Sequence, residues 1–379
     1  MTTTVWDGVT RTLHWGLAGS SLAALGTGFL APEWWLPWHV AAGAVAGTAV
    51  AGRGIWGLFG PGPARFGAFV LHPRAVWHHV VSAARREPRA HYGHPPAGAL
   101  MAVLLLVVVA ALGVSGLVAH GGREDLGPLH GVVGGAAGAG AARVHAWLAW
   151  GLLALVAGHL AGVAAESALS RDNLVRAMIT GRRANAPAPG PAERRPARPR
   201  AALAAATGLA IVAAPFAVGH PVTAGRAVSP THSAAVAPTD PAYKKACDDC
   251  HMAYPPGLLP AESWRRLMAN LDDHFGENAF LMPGTKEKVR RYLTANAAGT
   301  ADTEAARHFR HVDPAAPLAV TETPYWRRRH AGIAKARFKA APVKAKSNCK
   351  ACHRDATSGW FRDAAIDPPA AGGGPPRKQ

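Results

Sequence analysis

All four cysteines of this 379-residue chain fall in two strings of one design, Cys247-Asp-Asp-Cys250-His251 and Cys349-Lys-Ala-Cys352-His353. Cys-x-x-Cys-His is the attachment signature of a c-type haem. Its two thioethers hold the vinyl edges of the macrocycle, and the adjacent imidazole reaches the iron from the proximal side. A zinc site brings its two Cys-x-x-Cys pairs within roughly 15–20 residues of each other. Here the second pair lies far downstream of the first, and a His follows directly in both. No cysteine is left for a disulfide framework. On the residues alone the distal ligands are His274, in Leu271-Asp-Asp-His-Phe-Gly-Glu, and His330, in Pro324-Tyr-Trp-Arg-Arg-Arg-His, with Met252, Met268, Met282, His308 and His311 competing. A Met ligand raises the potential of a haem and a His lowers it.

A second set of imidazoles lies in apolar sequence, where an ionisable group is costly and marks function by default. His14 and His39 open the first and second apolar segments, and His145 and His159 share the fourth. Fourteen residues separate the last two, which is about 21 Å of helix rise and close to four turns, so both imidazoles project from one helix face. Antiparallel neighbours pair His14 with His159 at one depth and His39 with His145 at the other. Facing neutral imidazoles in a four-helix core suit a six-coordinate b-type haem, which shuttles electrons and does not bind oxygen. Gly43, Gly47 and Gly158 beside these histidines fit a macrocycle between helices, or equally plain helix–helix contact. The loop residues His72, His78, His79, His91, His94, His120 and His130 read as solvated.

Five segments meet the length and apolarity of membrane helices, namely residues 13–30, 39–59, 97–118, 144–165 and 201–219. The first starts too near the N-terminus, without a basic flank, to be an ordinary signal peptide, and the fifth reads as an anchor in preference to a cleaved signal. Arginine marks the cytoplasmic side. Arg65, Arg74, Arg85, Arg86 and Arg89 follow the second segment and a longer series from Arg171 to Arg200 follows the fourth, whereas the loops after the first and third carry few. The C-terminal part is therefore expected on the periplasmic side. The net charge of +18 is not gathered into a groove-reading domain, which argues against nucleic acid. In the soluble part it reads as a solvated basic face or as a docking face for an acidic redox partner.

The organisation expected is a membrane domain over 1–183, a linker over 184–239 containing the fifth span at 201–219, a soluble domain over 240–368 and a disordered tail over 369–379. Residues 185–200, rich in Pro and Arg, form a semi-rigid linker. In the soluble domain 262–271 and 286–296 have helical periodicity and no segment alternates as a strand. The fold class is all-α: a transmembrane four-helix haem bundle, a fifth membrane span and a small, mainly helical dihaem domain.

Val5-Trp-Asp-Gly-Val-Thr-Arg-Thr-Leu-His-Trp15, the His39-x-x-x-Gly43 opening, Arg53-Gly-Ile-Trp-Gly and Arg171-Asp-Asn-Leu resemble the bacterial cytochrome b561 family, including the b-type subunits of nickel-iron hydrogenases, over about residues 1–183. The resemblance implies two b haems on His14, His39, His145 and His159 and exchange of electrons with the quinone pool. Hydrogenase-type members carry a further His one turn after the last ligand, where this chain has Val163, so a hydrogenase anchor is the weaker branch. The strings His251-Met-Ala-Tyr-Pro-Pro-Gly-Leu-Leu-Pro, Leu271-Asp-Asp-His-Phe-Gly-Glu-Asn-Ala and Thr321-Glu-Thr-Pro-Tyr-Trp resemble the small dihaem cytochromes c over about 240–368. That resemblance implies bis-His haems, His274 joining the first motif and His330 the second. The expectation is an inner-membrane electron-transfer cytochrome with two b and two covalently bound c haems. It would pass electrons between membrane quinone and a soluble periplasmic cytochrome or other haem protein. A superoxide-oxidising quinone reductase and a membrane anchor for another oxidoreductase are the alternatives.

Overall fold

The computed structural model describes residues 3–87, 91–196, 237–313 and 318–369. The expected fifth span, most of the tether after it and the tail beyond 369 lie outside the described residues. The chain divides into two compact units, Met1–Leu117 with Ala141–Val222 and Val118–Gly140 with Thr223–Gln379.

In the first unit the long helices are α1 (Gly8–Phe29), α2 (Leu36–Phe59), α4 (Pro96–Ala119) and α5 (Gly135–Ser170), with the shorter α3 (Pro73–Ala84) and α6 (Leu174–Thr180) between and after them. Each start has a local cause. Asp7 caps α1 by accepting the Thr10 N–H at 3.0 Å. Pro37 occupies the first turn of α2, where its missing N–H costs nothing. Asn173 caps α6 by accepting the Arg176 N–H at 2.8 Å. Among the described residues, α4 with the turn that continues it and α5 are long and apolar enough to cross a membrane.

The interior of the first unit is thin. Ala46, Val109 and Leu152 are buried with Leu17, Leu25, Val50 and Val156 around them, whereas Leu22, Val107, Val114, Trp147 and Leu160 face outward. Helices that show large apolar side chains to the outside while burying small ones are built for hydrocarbon and not for water. One polar end is tied by an ion pair: Arg183 meets Asp172 at 2.9 Å with both side chains 6% exposed, and Arg183 also donates to the His91 carbonyl at 2.8 Å. Residues Thr3–Thr4 (β1) pair antiparallel with Arg182–Arg183 (β2), fixing the start of the chain to the segment after α6.

The second unit is assembled from short helices: α7 (Pro241–Cys247), α8 (Ala261–Ala269), α9 (Pro283–Ala295), α10 (Glu304–Phe309), α11 (Pro324–Arg329) and α12 (Lys335–Lys339). Helices α8 and α9 fall where the periodicity placed them. Tyr243, Leu259, Trp264, Met268, Val289 and Leu293 form its main core. A second cluster gathers Leu258, Ala298, Ala305 and Phe309, with Tyr325 and Phe361 against it. Residues 118–140 fold with this unit: the π-turn His120–Glu124 places Arg123 against Glu304 in a two-pronged ion pair at 2.6–3.0 Å. Strand structure among the described residues of this unit amounts to two isolated bridges, His274 with Glu277 and His353 with Ile366.

Candidate haem-iron sites

The structure brings the eight sequence-derived histidines together in four pairs. His14 of α1 lies 6.4 Å from His159 of α5 between ring centroids, and His39 of α2 lies 5.9 Å from His145 of α5. His251, at the end of the first Cys-x-x-Cys-His string, lies 6.1 Å from His274, and His353, at the end of the second, lies 6.1 Å from His330. A metal bound about 2.0–2.1 Å from one nitrogen of each of two opposed imidazoles holds their ring centres roughly 6 Å apart. The residues present therefore fit bis-imidazole haem iron at all four places.

The His39 and His145 pair shows how such imidazoles are oriented. His39 Nδ1 lies 3.0 Å from the Ala24 carbonyl and 3.3 Å from the Thr27 hydroxyl of α1. His145 Nδ1 lies 3.1 Å from the Leu112 carbonyl and 3.1 Å from the Ser115 hydroxyl of α4. A carbonyl can only accept, so each ring carries its proton on Nδ1 and leaves Nε2 for a metal. Both hydroxyls already donate backward along their helices, Thr27 to Ala23 at 2.7 Å and Ser115 to Ala111 at 2.8 Å, which leaves their oxygens as acceptors. The next residue in each helix is glycine, and it has to be small. A Cβ on Gly28 would stand 3.1 Å from His39 Cε1, and one on Gly116 would stand 3.2 Å from His145 Cε1. Helices α1 and α4 thus each clasp a histidine of another helix with the same hydroxyl-glycine dipeptide.

In the second unit one ring of each pair meets a backbone carbonyl, and that carbonyl is local. His251 Nδ1 is 2.8 Å from the Met252 carbonyl and His330 Nδ1 is 2.9 Å from the Trp326 carbonyl. Trp326 also stacks on His330 at 4.2 Å and 14°. Tyr254 donates to the Ser347 carbonyl at 3.0 Å, joining the loop after the first motif to the residue before Asn348 and Cys349. Burial and the neighbouring His251 lower the His274 pKa. Burial, then His330 and Arg329, lower that of His353 to about 4. Both imidazoles are held neutral, the form that can ligate. The competing distal candidates lie elsewhere: Met268 is packed in the main core, Met282 is 67% exposed, His311 is exposed, and His308 stacks on Tyr325 at 4.2 Å. Met252 is buried beside His251 and offers it a carbonyl.

Gly43 and Gly47 have no atom within 4 Å of an added Cβ, so open space and not a neighbouring helix lies beside them, and Gly158 meets only Met101 at 3.5 Å; the glycines that seat the two rings, Gly28 and Gly116, are ones sequence reasoning does not single out. The signal was present, since Thr27-Gly28 and Ser115-Gly116 repeat one pattern in two spans. Several loop histidines are also not solvated. His120 is buried at 8% exposure because the turn after α4 folds inward, His94 sits between Trp6 and Phe69 at 4.7 and 4.8 Å, and His79 stands 3.7 Å from Glu166. His72, His78 and His130 are exposed as expected.

Membrane-type helices that present imidazoles in facing pairs, together with a compact unit that sets Cys-x-x-Cys-His strings opposite further imidazoles, define a membrane electron-transfer cytochrome. The family comparisons make this particular. Residues 5–181 match the prokaryotic cytochrome b561 family and residues 243–361 match the dihaem cytochrome c family, which supports a fusion of the two, and the families imply haem of b and c type. Among solved structures, a diheme cytochrome c from Rhodobacter sphaeroides is 41% identical with a TM-score of 0.30, over 34% of this chain and 100% of that one. A second structure, of DHC purified from the same organism, is 40% identical with a TM-score of 0.27, over 33% and 99%. The diheme cytochrome type c of Shewanella baltica OS155 is 34% identical with a TM-score of 0.28, over 34% and 93%. Comparison with curated proteins gives no match.

Proposed function

We propose that this protein carries electrons between the membrane quinone pool and a soluble periplasmic haem protein, with two b haems and two c haems in one chain. The observation that carries the reading is the set of four imidazole pairs at 5.9–6.4 Å. His14 with His159 and His39 with His145 would hold the b haems. Cys247, Cys250 and His251 with His274, and Cys349, Cys352 and His353 with His330, would hold the c haems. When bound, these groups supply one-electron carriers whose iron has both axial positions filled.

The protein's own residues supply position and environment. On α5 the two b-site histidines sit about 21 Å apart along the helix, a separation suited to moving charge across a bilayer. Carbonyls and hydroxyls of α1 and α4 fix the tautomer of His39 and His145. Arginine-rich segments after α2 and α5 support a cytoplasmic position for those ends, and the expected fifth span would carry the second unit to the periplasm. Pyridine haemochrome spectra of the purified full chain test the reading: b and c haem are expected in equal amounts. A ratio far from one, or absence of either type, would overturn it.

A further inference from the structure

The two c-type sites of the second unit stand in unlike electrical surroundings. Between Glu322 and Asp355 the chain contains no acidic residue, and this stretch carries both His330 and the whole second Cys-x-x-Cys-His string. Arg328, Lys335, Lys339, Lys344 and Lys350 are all exposed there. Among the described residues the ion pairs of this stretch use Arg327 and Lys346 on Glu322 and Arg329 on Asp363, and leave those five cations uncommitted. At the first site the exposed charges nearest His251 and His274 are Asp248, Asp249, Asp272, Asp273 and Glu277, with Lys244 and Lys245 on the helix that leads into the motif.

The cations are fixed to the elements that build the second site. Lys350 lies inside the motif itself, and Arg328 is two residues from His330. Helix α12, which bears Lys335 and Lys339, is anchored by Phe338, whose ring lies 5.5 Å from Trp326 and 6.2 Å from His330. Ile333, between α11 and α12, is 38% exposed and flanked by exposed alanines. A small apolar centre with a charged rim is the anatomy of a transient protein interface.

We infer that this cationic face over the His330 and His353 site docks a soluble one-electron redox protein with an acidic surface, making the second c site the port through which electrons are exchanged with the periplasmic partner. The inference rests on the haem assignment proposed above. A charge run is ordinarily a solvated face; here five cations without an ion-pair partner among the described residues are gathered around one redox site, where Asp367 is an exposed acid beside Cys352, whereas the first site mixes acids with Lys244 and Lys245. Complementary charge steers encounter and raises association rates by tenfold or more, falling steeply with salt. Each encounter transfers one electron from reduced iron in the chain to the oxidised partner, with no bond made or broken.

The test uses the full chain in detergent, reduced with dithionite freed of excess, and mixed in a stopped flow with two soluble oxidants. One is acidic plastocyanin and the other is basic mitochondrial cytochrome c. Plastocyanin is expected to oxidise the c haem at least tenfold faster at low than at high salt, and the basic probe is expected to show no such gain. A triple variant Lys335→Glu, Lys339→Glu, Lys344→Glu should lose that salt dependence and about tenfold in rate with plastocyanin, while the ferrocenium form of ferrocene-methanol, a small one-electron oxidant, reacts as with the parent. Equal behaviour of the two probes, or an unchanged triple variant, would sink the inference. So would a cationic face that instead takes the parent chain, but not the triple variant, onto anionic vesicles with no effect on plastocyanin. Should the variant fold poorly, the salt dependence of the parent with the two probes decides alone. Lack of c haem in the haemochrome spectrum would remove the underlying assignment; c haem present without charge dependence would remove only the docking face.

Discussion

The two units solve the same problem, opposing two imidazoles at about the same distance, by different means. In the first unit His39 and His145 come from helices far apart in sequence, and their rings are aimed by carbonyls and hydroxyls of neighbouring helices, at Ala24, Thr27, Leu112 and Ser115. In the second unit His251 and His330 are aimed by carbonyls one and four residues away, at Met252 and Trp326. Long helices can hold a cofactor by mutual packing alone. Helices of five to thirteen residues around two small cores bury less, and the covalent tether proposed through Cys247, Cys250, Cys349 and Cys352 would compensate for that. The first unit depends on which helices are neighbours, and the second depends on local turns and thioethers.

The largest expected break in this comparison is Cys349→Ala with Cys352→Ala. Without either thioether the second motif should retain no covalent haem, so haem staining on a denaturing gel and the mass of the chain should report one attached group in place of two. The b-type absorbance should not change, because His14, His39, His145 and His159 share no element with that motif. Loss of b haem together with c haem would show that the two units do not hold their cofactors independently.

Acid should separate the units next. The folded His353 pKa lies near 4, below the ordinary histidine value of 6.5. The unfolded chain therefore binds this proton first as pH falls. The stability it contributes is complete above about pH 6.5 and is lost progressively down to about pH 4. Burial lowers His274 in the same direction. In the chain before haem attachment, whose imidazoles carry no iron, circular dichroism followed by acid titration should begin to report loss of the second unit inside that window. A signal unchanged down to pH 3 would contradict the account.

How far the sequence reached follows the same division. The second unit announced its sites through Cys-x-x-Cys-His, a string whose meaning is local, and α8 and α9 through periodicity. The membrane histidines were legible because an imidazole is expensive in hydrocarbon and because His145 and His159 are spaced by whole turns. What could not be read was which residue of one helix touches which residue of another. The glycine that seats His39 is Gly28, on α1 and not on the helix of His39. His120 reads as solvated from its place in a loop, yet the segment from Val118 to Gly140 folds with the second unit. Both are long-range packing, which local pattern does not encode.

The hydroxyl-glycine clasp gives the finest division between the two units. Gly116→Val puts a branched side chain where even a Cβ stands 3.2 Å from His145 Cε1, and overpacking of this kind costs about 1–3 kcal/mol. Because His145 must hold its ring where α2 presents His39, the cost should appear as reduced b-haem content with c-haem content intact, and Gly28→Val should do the same through His39. Ser115→Ala is gentler. It removes one of two acceptors around His145 Nδ1 and leaves the Leu112 carbonyl at 3.1 Å, so the loss is of the order of one ordinary hydrogen bond, about 0.5–1.5 kcal/mol. The expected signature is a small shift in the midpoint potential of one b haem at unchanged haem content, read by redox titration of variant against parent. If Ser115→Ala emptied the site as Gly116→Val does, the carbonyl would not be the group that fixes the tautomer, and the hydroxyl would carry the orientation instead.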